Sequence, residues 1–176
     1  MSKIAFSFIA ASAVFAGAVG IAGPMGGGIA AAFGASAETV TSDDAARDAA
    51  RLFNRADMDA NGVVDVEEYA ALEVVEAELA RLNRAVVIDG VSLRHIELPA
   101  EVADRLSAGE RARVDAVARR EFHVWSDTEN GLAEEAFVAL RLARFDAADG
   151  DQNGRLQGDE MRLYAQDIAQ HRPLVG

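Results

Sequence analysis

Apolar positions along this chain change their spacing several times, and each change marks an element. Residues Ile4 to Ile21 form an uncharged, largely apolar run. Beyond Glu38 the apolar positions become periodic. Ala45, Ala49, Leu52 and Phe53 share one helical face behind the N-cap candidates Thr41-Ser42-Asp43-Asp44, which predicts a helix over 42–56. Tyr69, Leu72, Val75, Leu79 and Leu82 recur at helical spacing and predict a second helix over 66–83. The stripe Leu72, Val75, Leu79 and Leu82 is assigned to the core in preference to a seam for a partner helix.

The period then falls to that of a strand. Ala85 to Ile88 and Val91 to Ile96 flank Asp89-Gly90, a favoured two-residue hairpin turn, so a small β-hairpin is expected, lying on another surface. Pro99 opens a short expected helix to Leu106. Ser107 and Glu110 form a capping-box pair, and Val114, Val117, Phe122 and Trp125 carry that helix to about residue 125. Two more helices are expected, over 132–146 and 159–170, the former bearing Phe137, Leu140, Leu142 and Phe145. The fold class is therefore mainly α.

The first 37 residues read as a separate segment. Lys3 is the only charge before Glu38, and Ala35-Ser36-Ala37 fits an A-x-A cleavage site. A signal peptide over 1–37 and a domain over 38–176 are expected, with the domain periplasmic or secreted. An earlier cut after Ala18 or Ala22 is an alternative, since Gly23 to Gly28 interrupts the run. Anchoring to the membrane by residues 4–21 is the other alternative, because about 20 apolar residues span a bilayer.

Chemistry concentrates in two polar connections. Asp57-Met58-Asp59-Ala60-Asn61-Gly62-Val63-Val64-Asp65-Val66-Glu67-Glu68 fits the pattern D-x-[DN]-x-[DN]-G-x₅-E at every specified place, and so does the run from Asp149 to Glu160. Ca²⁺ takes six to eight hard oxygen ligands, which a 12-residue loop supplies only if alternate side chains point inward and the backbone reverses midway. Gly62 and Gly154 stand where that reversal falls. Asp57, Asp59 and Asn61 offer side-chain oxygens, Val63 its carbonyl, Asp65 a direct or water-mediated contact, and Glu68 both carboxylate oxygens. Asp149, Asp151, Asn153, the Arg155 carbonyl, Gln157 and Glu160 take the same places in the second loop. Val64 and Leu156, eighth in each loop, are expected to face inward on a ladder that joins the two loops. The first loop brings four carboxylates against three, and Arg155 adds positive charge to the second, so the first is expected to bind harder.

These motifs resemble the EF-hand family, in particular small exported EF-hand proteins of bacteria. The resemblance implies two Ca²⁺ ions held by a helix-loop-helix pair with a shared hydrophobic core. The chain departs from a simple pair, since its two leading aspartates lie 92 residues apart. Ser126 to Phe137 is a candidate degenerate third hand, with Gly131 at its turn and Phe137 where the closing glutamate should be. The close spacing of that loop to the next, and Asp65 at the ninth place, also resemble lanmodulins. The second-place proline of that family is replaced by Met58 and Gly150, so a lanthanide role stays an alternative.

Charge and composition narrow the classes. The chain has 29 acidic and 17 basic residues, a formal charge of −12, and no cysteine. That balance repels nucleic acid, and the missing cysteines exclude disulfides, thiolate metal sites and a cysteine nucleophile. His95, His123 and His171 lack partners at ligand spacing. Arg111, Arg113, Arg119 and Arg120 read as a solvated helix face paired with acids. The expectation is a non-enzymatic calcium-binding module, buffer or sensor with a possible protein partner. The rival is an enzyme whose active site lies in the 69–144 insert, with the calcium loops as scaffold, which calls for a pocket there with a perturbed acid or histidine.

Overall fold

The computed structural model describes residues 34–89, 92–102, 105–126 and 131–173. The apolar run 4–21, the glycine-rich stretch and the two earlier cleavage positions lie outside the described residues, as do Gly90 of the hairpin turn and residues 127–130 of the candidate third loop.

Five α-helices dominate the described residues: α1 (Ser42–Ala56), α2 (Val66–Asn83), α3 (Ala108–Trp125), α4 (Glu134–Ala148) and α5 (Asp159–Gln170). Seven short strands join them: β1 (Ala35–Ser36), β2 (Val40–Thr41), β3 (Val63–Val64), β4 (Ala85–Asp89), β5 (Leu93–Glu97), β6 (Leu132–Ala133) and β7 (Arg155–Leu156). Reciprocal capping boxes start three helices, at Thr41 with Asp44, Asp65 with Glu68, and Ser107 with Glu110. Each such cap contributes about 1 kcal/mol.

The expected helix over 99–106 is not formed in its described part. Val102 N donates to Pro99 O at 3.1 Å, a single turn. Val102 and Leu106 are both buried, and a fresh helix begins behind the Ser107 cap. The hairpin forms, with a different register from that of a two-residue turn. Asp89 pairs with Leu93 and Val86 with Ile96, leaving residues 90–92 as the connection. That register sets Ile96 opposite Val86, and both enter the core. β1 adds to the hairpin as a parallel strand on β5.

Among the described residues the helices enclose two larger apolar cores and a small cluster of Ala77, Leu106 and Val114. One gathers Val40, Ile88, Ile96, Phe145, Leu156, Tyr164 and Ile168 around the second loop and the hairpin. The other gathers Phe53, Val64, Tyr69, Phe122, Leu132, Phe137 and Leu140 around the first loop. Its aromatic rings meet edge to face, with Phe53 and Phe137 centroids 5.8 Å apart and Tyr69 and Phe137 6.2 Å apart.

The face of α2 differs from expectation. Val75, Leu79 and Leu82 are exposed by about half, while Tyr69, Ala70, Glu73, Ala77, Ala80 and Arg81 face inward. Beyond Tyr69 the buried stripe is small or charged because α2 lies close against α3 and α5 and carries part of a buried ion-pair network. In that network Arg141 Nη1 reaches Glu73 at 2.7 Å and Glu76 at 2.8 Å, and Arg144 reaches Glu121 at 2.5 Å and Asp167 at 2.7 Å. His171 Nδ1 lies 2.8 Å from Glu73, and the Tyr69 hydroxyl donates to Glu121 at 2.6 Å. These pairs stitch α2, α3, α4 and α5 together between the two cores. Removing one partner of such a pair costs about 3–5 kcal/mol, since it strands a buried charge.

Candidate metal centres

The two loops of the EF-hand pattern share one hydrogen-bonded frame. Asp57 accepts from Asn61 N at 3.0 Å and Gly62 N at 2.9 Å, and Asp149 accepts from Asn153 N at 3.2 Å and Gly154 N at 2.8 Å. Asp59 and Asp151 each accept from the same fifth-place backbone N–H and from its amide side chain. The closing glutamate reaches across each loop. Glu68 takes Met58 N at 2.8 Å on one oxygen and Asp65 N at 3.0 Å on the other, and Glu160 takes Gly150 N at 3.0 Å and Gln157 N at 3.2 Å.

This frame gathers carboxylate oxygens of Asp57, Asp59 and Glu68 within 4.8 Å of one another, and it does the same with Asp149, Asp151 and Glu160. Three like charges held that close favour a multivalent cation, and the donor set is hard oxygen throughout. The residues therefore fit a calcium ion. The backbone reverses where the pattern requires it, with φ of +86° at Gly62 and +75° at Gly154. The fourth place also turns left-handed, at Ala60 and Gln152 with φ of 56° and 58°, which the pattern does not specify.

Of the remaining sequence-predicted ligands, Asn61 Oδ1 accepts from Val63 N at 2.9 Å, and Asp65 Oδ1 caps α2 by accepting from Glu68 N at 2.8 Å. Val63 and Arg155 stand in β3 and β7, beside their loops.

The two loops do not pair with each other, contrary to expectation. Val64 pairs with Leu132, from the candidate third loop, and Leu156 pairs with Val40, just before α1. All four residues are fully or almost fully buried, so the inward-facing expectation for the eighth place holds while the partners differ. Two separate cores require two ladders, and the chain supplies a partial loop to complete each one. In the third loop Ala133 caps α4 without a side-chain bond, so Ala136 takes the closing place. Phe137 instead matches Tyr69, one place later, and both rings enter the same core. No carboxylate closes this loop from its described residues.

The partner loop before α1 went unrecognised in the sequence, although Val40-Thr41 with Asp44 repeats the spacing of Val64-Asp65 with Glu68. Asp44 Oδ2 accepts from Thr41 N at 3.2 Å, as Glu68 does from Asp65 N. A guanidinium stands where a cation would. Arg94 Nη2 lies 2.7 Å from Asp44 Oδ2, and its Nη1 donates to Thr39 O, the seventh-place carbonyl, at 2.9 Å. Burial pushes the Asp44 carboxyl up, but hydrogen bonds from Arg94, Thr41 and Arg47 outweigh it and hold the group well below the usual carboxylate range.

A family model described as EF hand matches residues 49–72. The first loop is similar to an EF hand. That match covers the second half of α1, the whole loop and the start of α2, and it supports calcium binding there. No curated protein and no solved structure matches the chain. The second loop repeats the frame of the first, outside the matched stretch.

Proposed function

We propose that this protein binds two calcium ions through the loops 57–68 and 149–160 and works outside the cytoplasm as a metal-stabilised, non-enzymatic module or buffer. The observation that carries this reading is the shared frame: the same atoms at the same places hold three carboxylates together in each loop. Asp57, Asp59, Asn61, the Val63 carbonyl and Glu68 would hold one ion, with Asp65 adding a direct or water-mediated contact. Asp149, Asp151, Asn153, the Arg155 carbonyl, Gln157 and Glu160 would hold the other. Bound calcium supplies positive charge that relieves the repulsion among each set of acids.

Export rests on the uncharged run ahead of Glu38. Cleavage upstream of Gly34 is favoured over a cut after Ala37, because Ala35 and Ser36 pair with Arg94 and His95 and Ala37 N donates to His95 O at 2.8 Å. None of the described helices is long and apolar enough to cross a membrane. A module or buffer is favoured over a sensor because Met58 and Met161 are the only methionines beyond residue 37, whereas sensors expose methionine-rich grooves. The enzyme alternative calls for a pocket with a perturbed acid in the 69–144 insert, and Glu76, raised by burial to about 7, lines one; the repeated carboxylate frame of the two loops favours the calcium reading over it.

Thermal unfolding with calcium and with chelator tests the reading. Binding to the folded state alone raises the midpoint by mass action, by about 3 kcal/mol of stability at a hundredfold excess over Kd. An unchanged melt would count against it.

A further inference from the structure

A groove of about 600 Å³ opens between α1, α2 and the β4–β5 hairpin. We propose that it is a binding site for a cationic amphiphile, a small ligand with a hydrocarbon body and one ammonium or guanidinium head. This goes beyond calcium binding, since Asp48 and Glu76, the acids of its floor, lie outside the calcium loops, while Met58 and Glu68 of the first loop border the groove.

Its walls are hydrocarbon. Leu72, Val75 and Leu79 line one side from α2, Leu52 lines another from α1, and Leu93 comes from the hairpin. Val75 and Leu79 are 52% and 49% exposed, and Leu93 is 42% exposed, which is costly for a stripe of aliphatic side chains left facing water. The buried alanines Ala56 and Ala80 leave the depth that larger residues would fill. The volume lies within the range of small-ligand pockets, roughly 300–1,000 Å³.

The floor sets the charge of the ligand. Asp48 is only 8% exposed, and one of its oxygens accepts from Asp89 N at 3.1 Å. Glu76 stands beside it, and its one nearby cation, Arg141, is shared with Glu73 through the same nitrogen. At the rim, Arg55 is taken by Asp89 at 3.4 Å. Glu73 has His171 at 2.8 Å besides Arg141, and Asp89 has Arg51 at 3.7 Å besides Arg55, which leaves Asp48 and Glu76 beside Arg141 with an excess of negative charge. Burial pushes both floor carboxyls up, Glu76 to about 7, the direction expected of acids short of positive charge. A neutral or anionic lipid would leave that charge uncompensated. A ligand that places an ammonium against Asp48 and Glu76 and lays its chain along Leu72, Val75 and Leu79 compensates the charge and covers the stripe at once.

Calorimetric titration of the calcium-loaded protein with decylammonium, decanol and decanoate, each below its micelle-forming concentration, tests this. Decylammonium should bind saturably at one per chain, decanol at least about tenfold more weakly, and decanoate not measurably. Asp48→Asn and Glu76→Gln should each weaken decylammonium by about tenfold while leaving decanol and calcium titrations unchanged. Val75→Asn, at an exposed position that the fold does not need, should weaken decylammonium and decanol alike. Uptake of many decylammonium ions per chain, equal binding of decanoate, or indifference to the floor variants would overturn the proposal. So would a calcium-loaded dimer that Val75→Asn returns to monomer, since a second copy would then cover the stripe. Calcium uptake measured without amphiphile reads the loops separately, so the two readings fail independently.

Discussion

Arg94 Nη2 sits 2.7 Å from Asp44 Oδ2, so a side chain from the hairpin does for the partial loop before α1 what an ion would do for a complete one. The other arm of the guanidinium holds the Thr39 carbonyl, which ties β2 to β5 and keeps Val40 in register with Leu156. Arg94→Met keeps the bulk and removes the charge. It should cost about 2 kcal/mol, the penalty for stranding a buried hydrogen-bonded acid, in urea unfolding with saturating calcium. The Asp44 contribution is also sensitive to acid. Because its folded-state pKa is depressed, its stabilisation is present above the unfolded value near 4 and is lost as pH falls below it. The difference between wild type and Arg94→Met should therefore shrink on acidification, and a gap that stays constant below about pH 3 would contradict the assignment.

The glycines of the loops differ in what surrounds them. A Cβ at Gly62 meets nothing within 4 Å, so Gly62→Ala pays only for its left-handed φ, about 1 kcal/mol. A Cβ at Gly131, where φ is 107°, would lie 2.7 Å from the Val64 carbonyl oxygen. Gly131→Ala should cost more, about 2–3 kcal/mol, and should weaken the β3–β6 ladder. Amide exchange at Val64 reports the ladder. Faster exchange in Gly131→Ala than in Gly62→Ala is expected, and the reverse order would argue against a third loop that supports the first.

Glu76 works against stability as pH rises. Burial raises its carboxyl to about 7, and Glu73 and Asp48 add to that against the pull of Arg141. Between the unfolded value of 4.5 and about 7, the folded chain keeps a proton that the unfolded chain has lost, so this group's share of stability falls across that window. Glu76→Gln removes the titration. Its thermal midpoint should gain on that of wild type from about pH 5 to about pH 8, as measured by scanning calorimetry in saturating calcium. Parallel pH profiles would rule out the effect.

The sequence made the helices and the two complete loops legible because their signals are local. Capping pairs such as Asp65 with Glu68 and the twelve-residue ligand spacing lie within one turn of chain. Pairings between distant segments left no such mark. Val64 meets Leu132 and Leu156 meets Val40 because two cores form, which depends on how helices pack. The inward face of α2 was misread for the same reason. Apolar periodicity favoured Leu72, Val75, Leu79 and Leu82; Leu72 does pack against the first-loop core, but Glu73 and Arg81 are buried because partners on other elements, Arg141 and Glu110 among them, come to meet them. One missed feature was within reach: Val40-Thr41 with Asp44 repeats the spacing that closes both calcium loops.

Isothermal titration of the wild-type protein beside Asp57→Ala and Asp149→Ala tests the central claim most directly. Two calcium ions per chain are expected for wild type and one for each variant, with the tighter site lost in Asp57→Ala because its loop carries four carboxylates to the other's three. Dialysed wild-type protein that takes up no calcium at millimolar concentration would contradict the account.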